Sequence, residues 1–144
     1  MSGSRLRIQA AKSVRQGERE LMGKQRIVII DDDVCYMEMI KLVLEGAGYE
    51  VCIASTSFEA QQYVYGDRRP SLIIIDVMMP IWSGSQTATM IRNNEHSKSI
   101  PILYLSGKSE ELLQSLARES GVNGYLAKPA TPQKIIETVS RLIQ

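Results

Sequence analysis

Beyond Met22 the sequence alternates short apolar runs with longer segments of helical period. The runs are Ile27 to Ile30, Val51 to Ala54, Leu72 to Ile75, Ile102 to Leu105 and Gly124 to Leu126. Four of the five are nearly unbroken in Ile, Val and Leu, as strands of a parallel sheet buried on both faces are, where the in-out alternation of a half-exposed strand is lost. In the first intervening segment Tyr36, Ile40, Val43, Leu44 and Ala47 recur at helical spacing, with Gly46 and Gly48 as the stop. Ser57 is the expected cap of a second helix running to about Tyr65, and a third is expected over 85–93. Ser109 predicts the start of a fourth, with Glu110 and Glu111 in its first turn, where the helix dipole favours negative charge. Thr131 followed by Pro132 is an N-cap and first-turn pair, and it opens a fifth helix carrying Ile135, Ile136, Val139, Leu142 and Ile143.

Strand followed by helix, five times over, predicts an α/β fold: a doubly wound five-stranded parallel sheet with helices on both faces. Sites in such sheets lie at the carboxyl ends of the strands. The first run ends in Asp31 and Asp32, the third in Asp76 and the fourth in Ser106, while Lys128 and Pro129 follow the fifth. Three carboxylates, a hydroxyl and an ammonium are thus expected along one edge. Adjacent carboxylates repel one another unless they share a hard cation, and oxygen donors of this kind suit Mg²⁺. Asp33 needs no such explanation, because aspartate is a favoured N-cap.

Composition narrows the choice of function. With 144 residues, 44% hydrophobic and 23% charged, the chain suits one globular domain. No apolar run approaches the roughly 20 residues of a spanning helix and no signal-peptide core is present, so no membrane insertion and a cytoplasmic location are expected. Residues 1–21 hold five basic side chains against two acidic, a net +3, leaving −2 for the rest, which offers no basic face for nucleic acid. Cys35 and Cys52 lack metal-site spacing and read as free, buried thiols. His96 stands in a polar stretch with no partner at ligand spacing and reads as plain surface.

The segments VIIDDD, LIIIDVMMPIWSG, PILYLSG and GYLAKPATP together resemble the response-regulator receiver domain, the CheY-like partner of sensor histidine kinases in two-component signalling. The likeness covers residues 24–144 and implies the flavodoxin-like, CheY-like (βα)5 fold; residues 1–23 are expected to be a poorly ordered extension, since Gly17 and the sparse apolar content leave little to bury. Carried over residue by residue, it implies that Asp76 is the phosphoacceptor. Asp31 and Asp32, with Asp76 and the backbone carbonyl of Met78, would hold Mg²⁺, for which Mn²⁺ can substitute. Ser106 and Lys128 would each meet a phosphoryl oxygen, Tyr125 would be the switch aromatic, and the Lys128–Pro129 bond would be cis. The implied donors are a histidine kinase or a histidine phosphotransfer protein. The chain would be a signalling switch that catalyses only its own phosphorylation and dephosphorylation, with output to a downstream protein partner.

The chemistry of the residues agrees with that reading. A carboxylate attacking a phosphoryl group approaches an anion, and the equatorial oxygens need cations beside them. Ile81, Trp82 and Ser83 depart from the common loop pattern after the phosphoacceptor, which bears on partner identity and leaves the reaction intact. A haloacid-dehalogenase-type phosphatase would need a second acid where Met78 stands. A flavodoxin-type phosphate cradle would be repelled by Asp31 to Asp33. Two alternatives stay open at this point: a receiver-fold scaffold that binds without being phosphorylated, and a receiver excised from a larger regulator or hybrid kinase.

Overall fold

The computed structural model describes residues 23–77 and 84–143. Five strands, β1 (Arg26–Ile30), β2 (Glu50–Ala54), β3 (Leu72–Ile75), β4 (Ile102–Ser106) and β5 (Gly124–Ala127), form one parallel sheet in the order β2-β1-β3-β4-β5. They alternate with five helices, α1 (Val34–Gly46), α2 (Ser57–Val64), α3 (Gly84–Asn93), α4 (Glu110–Ser120) and α5 (Pro132–Ile143). The doubly wound α/β fold expected from the apolar runs is the one observed.

Strand residues divide strictly between two cores, because successive side chains point to opposite faces. Ile27 and Ile29 of β1, Leu72 and Ile74 of β3 and Leu103 and Leu105 of β4 pack with Met37, Ile40 and Leu44 of α1 and Ile135 and Val139 of α5. On the other face Val28, Ile30, Ile73, Ile75, Ile102 and Tyr104 pack with Ala60 and Val64 of α2, Ala88 and Ile91 of α3, and Leu113 and Ala117 of α4. Each fully buried Ile or Leu contributes about 1.5–3 kcal/mol relative to exposure. The central strands therefore dominate the stability of the fold, and they fix the height at which the polar residues leave the sheet.

Local signals set the helix ends. Asp33 caps α1, its side chain accepting from the Tyr36 backbone N–H at 3.2 Å, and Ser109 caps α4. Thr131 caps α5 through the Lys134 N–H at 3.2 Å. Gly121 closes α4 with φ +67°, the left-handed region where an added Cβ would be strained. Two expectations need correction. The cap of α2 is Thr56, not Ser57: Thr56 is extended, its hydroxyl accepts from Glu59 N–H at 3.2 Å, and Glu59 Oε1 accepts from the Ser55 and Thr56 hydroxyls. The thiols are both free but not buried. Cys35 lies on the solvent side of α1 and Cys52 is half-buried on edge strand β2, its sulfur 3.3 Å from Nε and Nη2 of Arg26. Residues 1–22, including most of the expected extension, lie outside the described residues.

Candidate functional site

The chain visits β2 on one side of β1 and then crosses to β3 on the other, so the sheet order reverses between β1 and β3. A crevice opens at such a reversal, beyond the strand ends. Ile30 and Ile75 are register partners there, which brings Asp31 and Asp76, the next residues of each strand, side by side. The Asp31 N–H donates to the Ala54 carbonyl and the Asp76 N–H to the Ile30 carbonyl, so both backbones continue the sheet's hydrogen-bond pattern. Both carboxylates are buried, while Asp32, one residue further out, is exposed.

Lys128 reaches the pair from the end of β5. Its Nζ lies 2.9 Å from Asp31 Oδ2 and 3.2 Å from Asp76 Oδ2, with only 14% of its side chain exposed. The lysine's backbone is held by its own N–H, which donates to the Ser106 carbonyl at 2.8 Å. The Lys128–Pro129 bond is cis, as the resemblance implied. Burial is the main cause that raises the Asp31 carboxyl to about 6, with the charge of Asp76 adding to it, against the Asp33 N–H and Lys128, which pull it down. The Lys128 ammonium is held above its ordinary range by the two carboxylates, which outweigh its desolvation.

One ammonium cannot balance three carboxylates. Asp31, Asp32 and Asp76 each offer an oxygen, and the three oxygens lie within 4.8 Å of one another. Hard oxygen donors at that spacing, with excess negative charge among the described residues at a strand-end crevice, fit a small divalent cation that retains several waters. Ser106 ends β4, fully buried, and its hydroxyl has no hydrogen-bond partner among the described residues. A buried hydroxyl in that condition costs free energy unless a ligand atom or water meets it. Its Cα partner on β5 is Ala127, adjacent to Lys128.

The structure thus brings together Asp31, Asp32, Asp76 and Lys128, with Ser106 joined through the backbone of Lys128. Tyr125 stands farther down β5, half-buried against the α2–α3–α4 core and in register with Tyr104. Met78, Ile81, Trp82 and Ser83 lie outside the described residues. His96 is exposed, as expected. One contact went unread in the sequence. The Lys128 ammonium sits over the ring of Tyr36, 4.6 Å from its centroid, and the Tyr36 hydroxyl accepts from the Ala130 N–H at 3.2 Å. In the sequence Tyr36 is one more apolar position on the inner side of α1, and nothing local announces a contact 94 residues away.

Comparison with known proteins gives a consistent answer. The family model described as the response regulator receiver domain matches residues 27–140. The phosphate regulon transcriptional regulatory protein PhoB of Pseudomonas aeruginosa is 34% identical over 124 residues, 86% of this chain and 53% of that protein. The chain spans about half the length of the curated relatives it matches. Among solved structures, the chemotaxis response regulator CheY4 of Vibrio cholerae superposes with a TM-score of 0.75 at 28% identity, covering 83% of this chain and 98% of that one. The receiver domain of a sensor histidine kinase from Pseudomonas aeruginosa, with a magnesium ion coordinated in its own active-site cleft, shares the fold at a TM-score of 0.74. It is 24% identical, over 84% of this chain and 98% of that one.

Proposed function

Because the chain belongs to the response regulator receiver family, we propose that it takes a phosphoryl group onto Asp76 from a histidine kinase or histidine phosphotransfer protein and passes the signal to a protein partner. The observation that carries this reading is the ammonium of Lys128 shared between two buried carboxylates, Asp31 and Asp76, at the reversal point of the sheet. In the transfer an Asp76 carboxylate oxygen forms the new P–O bond while the P–N bond to the donor histidine breaks, and the ring nitrogen keeps the bonding pair.

Asp31, Asp32 and Asp76 would hold Mg²⁺, with Mn²⁺ as a substitute and the Met78 carbonyl completing the protein's share. When bound, the cation supplies positive charge to the phosphoryl oxygens. Lys128 is already within 3.2 Å of Asp76 and can pair with an oxygen of the group that Asp76 carries. Ser106 offers its unpartnered hydroxyl to another. Drawing Ser106 toward the phosphoryl group would free space for Tyr125 to turn inward, which makes β5 and its neighbouring helices the responding surface. A ligand shifts such an equilibrium only by its differential affinity for the two arrangements, so both are populated to some degree without phosphate. The chain acts in this reading as a cytoplasmic switch.

Incubation with acetyl phosphate and Mg²⁺ should add one phosphate by intact mass, and Asp76→Asn should add none. Equal labelling of the variant would remove Asp76 as acceptor. Absence of labelling in the unaltered chain, with kinase as well as with acetyl phosphate, would favour a binding-only scaffold.

A further inference from the structure

We infer that Tyr36 is a positioning residue for the phosphoryl transfer: its ring face holds the Lys128 ammonium at the Asp76 edge, and its hydroxyl fixes the backbone that carries the lysine. The inference rests on the phosphoacceptor reading and names a residue that reading does not use.

An ammonium has three donor hydrogens. Two of its directions are taken by Asp31 Oδ2 and Asp76 Oδ2, and the Tyr36 ring lies 4.6 Å from the same nitrogen. These contacts differ in what happens to them when the site works. Asp31 belongs to the carboxylate set suited to a cation, and Asp76 is the group that is modified. Both ion pairs therefore change during turnover. Lysine is a point charge on a flexible four-carbon stem, and it loses its direction when its partners are drawn away. The ring is neutral and attracts the ammonium by its quadrupole without competing for it as a carboxylate would. It is the contact that persists.

The ring is also well placed to stay put. Tyr36 lies in the first turn of α1, its N–H donates to the capping Asp33 Oδ1 at 3.2 Å, and the Asp33 N–H donates in turn to Asp31 Oδ1 at 3.0 Å. Two hydrogen bonds thus tie Tyr36 to the first carboxylate of the site. Its hydroxyl accepts the Ala130 N–H, two residues beyond the lysine, so one side chain touches both the tip of Lys128 and the backbone that follows it. A merely structural tyrosine, half-buried between α1 and the core, would account for the packing but not for an ammonium centred on its face.

The test uses the full chain carrying Tyr36→Phe or Tyr36→Leu, both checked for unchanged fold by amide NMR. The first readout is the Lys128 ε-methylene proton shift. It should be displaced upfield by the ring in the unaltered chain and in Tyr36→Phe, and should return to its ordinary position in Tyr36→Leu. The second is the acetyl phosphate labelling rate at saturating Mg²⁺. It should fall about fivefold to tenfold in Tyr36→Leu, the size of one partly desolvated cation–π contact, with Mg²⁺ affinity unchanged, and Tyr36→Phe, which keeps the ring and loses only the hydroxyl's bond to Ala130, should lie between the two. A Tyr36→Leu protein with the lysine shift intact, with an unaltered rate, or with a rate loss matched by lost Mg²⁺ affinity overturns the inference. So does a Tyr36→Phe protein as slow as Tyr36→Leu. An unaltered chain that takes no phosphate overturns the phosphoacceptor reading itself, and the inference with it.

Discussion

Two cations stand at opposite ends of the strands, and their surroundings differ in kind. Lys128, at the carboxyl edge, pairs with two carboxylates. Arg92, in the last turn of α3 at the amino edge, has its guanidinium among neutral oxygens: the carbonyls of Lys98 at 3.1 Å, Ile100 at 2.6 Å and Gly121 at 3.5 Å, and the side-chain oxygen of Asn123. Burial pulls the Arg92 guanidinium below its ordinary range, whereas the acids hold Lys128 above its own. Charge facing charge can be exchanged, because a phosphoryl oxygen can replace a carboxylate beside the ammonium and a metal cation can replace the ammonium beside a carboxylate. A guanidinium fanned across four neutral acceptors on two connections, α3–β4 and α4–β5, has no charged partner to exchange there and serves to join them. Under the proposed reading one end of the sheet would change partners and the other keep them.

That contrast can be broken from either side. Lys128→Met, with Mg²⁺ present, should slow labelling of Asp76 by about two orders of magnitude, the typical loss of a preorganised charge-stabilising group, while the melting curve stays cooperative. A labelling rate near that of the unaltered chain would mean that the lysine is a structural tie like Arg92. Arg92→Met should do the reverse. It leaves three carbonyls and Asn123 short of a donor and should cost about 3 kcal/mol in urea unfolding, with the labelling rate per folded molecule unchanged; a slowed reaction in that variant would link the two ends. The smallest effect sharpens the comparison. Mg²⁺ at about one hundred times its dissociation constant should stabilise the chain by about 2.7 kcal/mol, seen as a rise of several degrees in Tm, and Asp32→Ala should remove most of that rise. Arg92→Met should show the same rise from its lower starting point.

What was legible in the sequence followed from how local its cause was. Unbroken runs such as Leu72 to Ile75 announce a strand with both faces covered, and the residue that ends each run falls at the sheet edge by geometry, so Asp31, Asp76 and Ser106 could be located from spacing alone. Thr56 was misread for a neighbouring serine, although the signal was there: Thr56 and Glu59 have the spacing of a reciprocal capping pair. Cys35 was misplaced because a small apolar residue beside an apolar helical face can fall on either side of its boundary. Tyr36 and Arg92 were invisible for a different reason. Their roles are set by partners 94 and up to 31 residues away, and no periodicity encodes a contact that only the folded chain creates.

The order of the strands has a further consequence for how a signal would travel. Asp76 ends β3, which is hydrogen-bonded on both sides, by β1 and by β4, while Tyr125 belongs to β5, an edge strand with one side unpaired. Amides of a central strand exchange with solvent only when most of the domain opens, and those of an edge strand exchange through smaller, local openings. Under the proposed reading the message would be written on a strand paired on both sides and read on an edge strand, where smaller openings suffice. Such a device would have a stiff pen and a soft page: the chemistry would keep its geometry through every cycle, and the free energy of the new bond would act where the chain yields most readily.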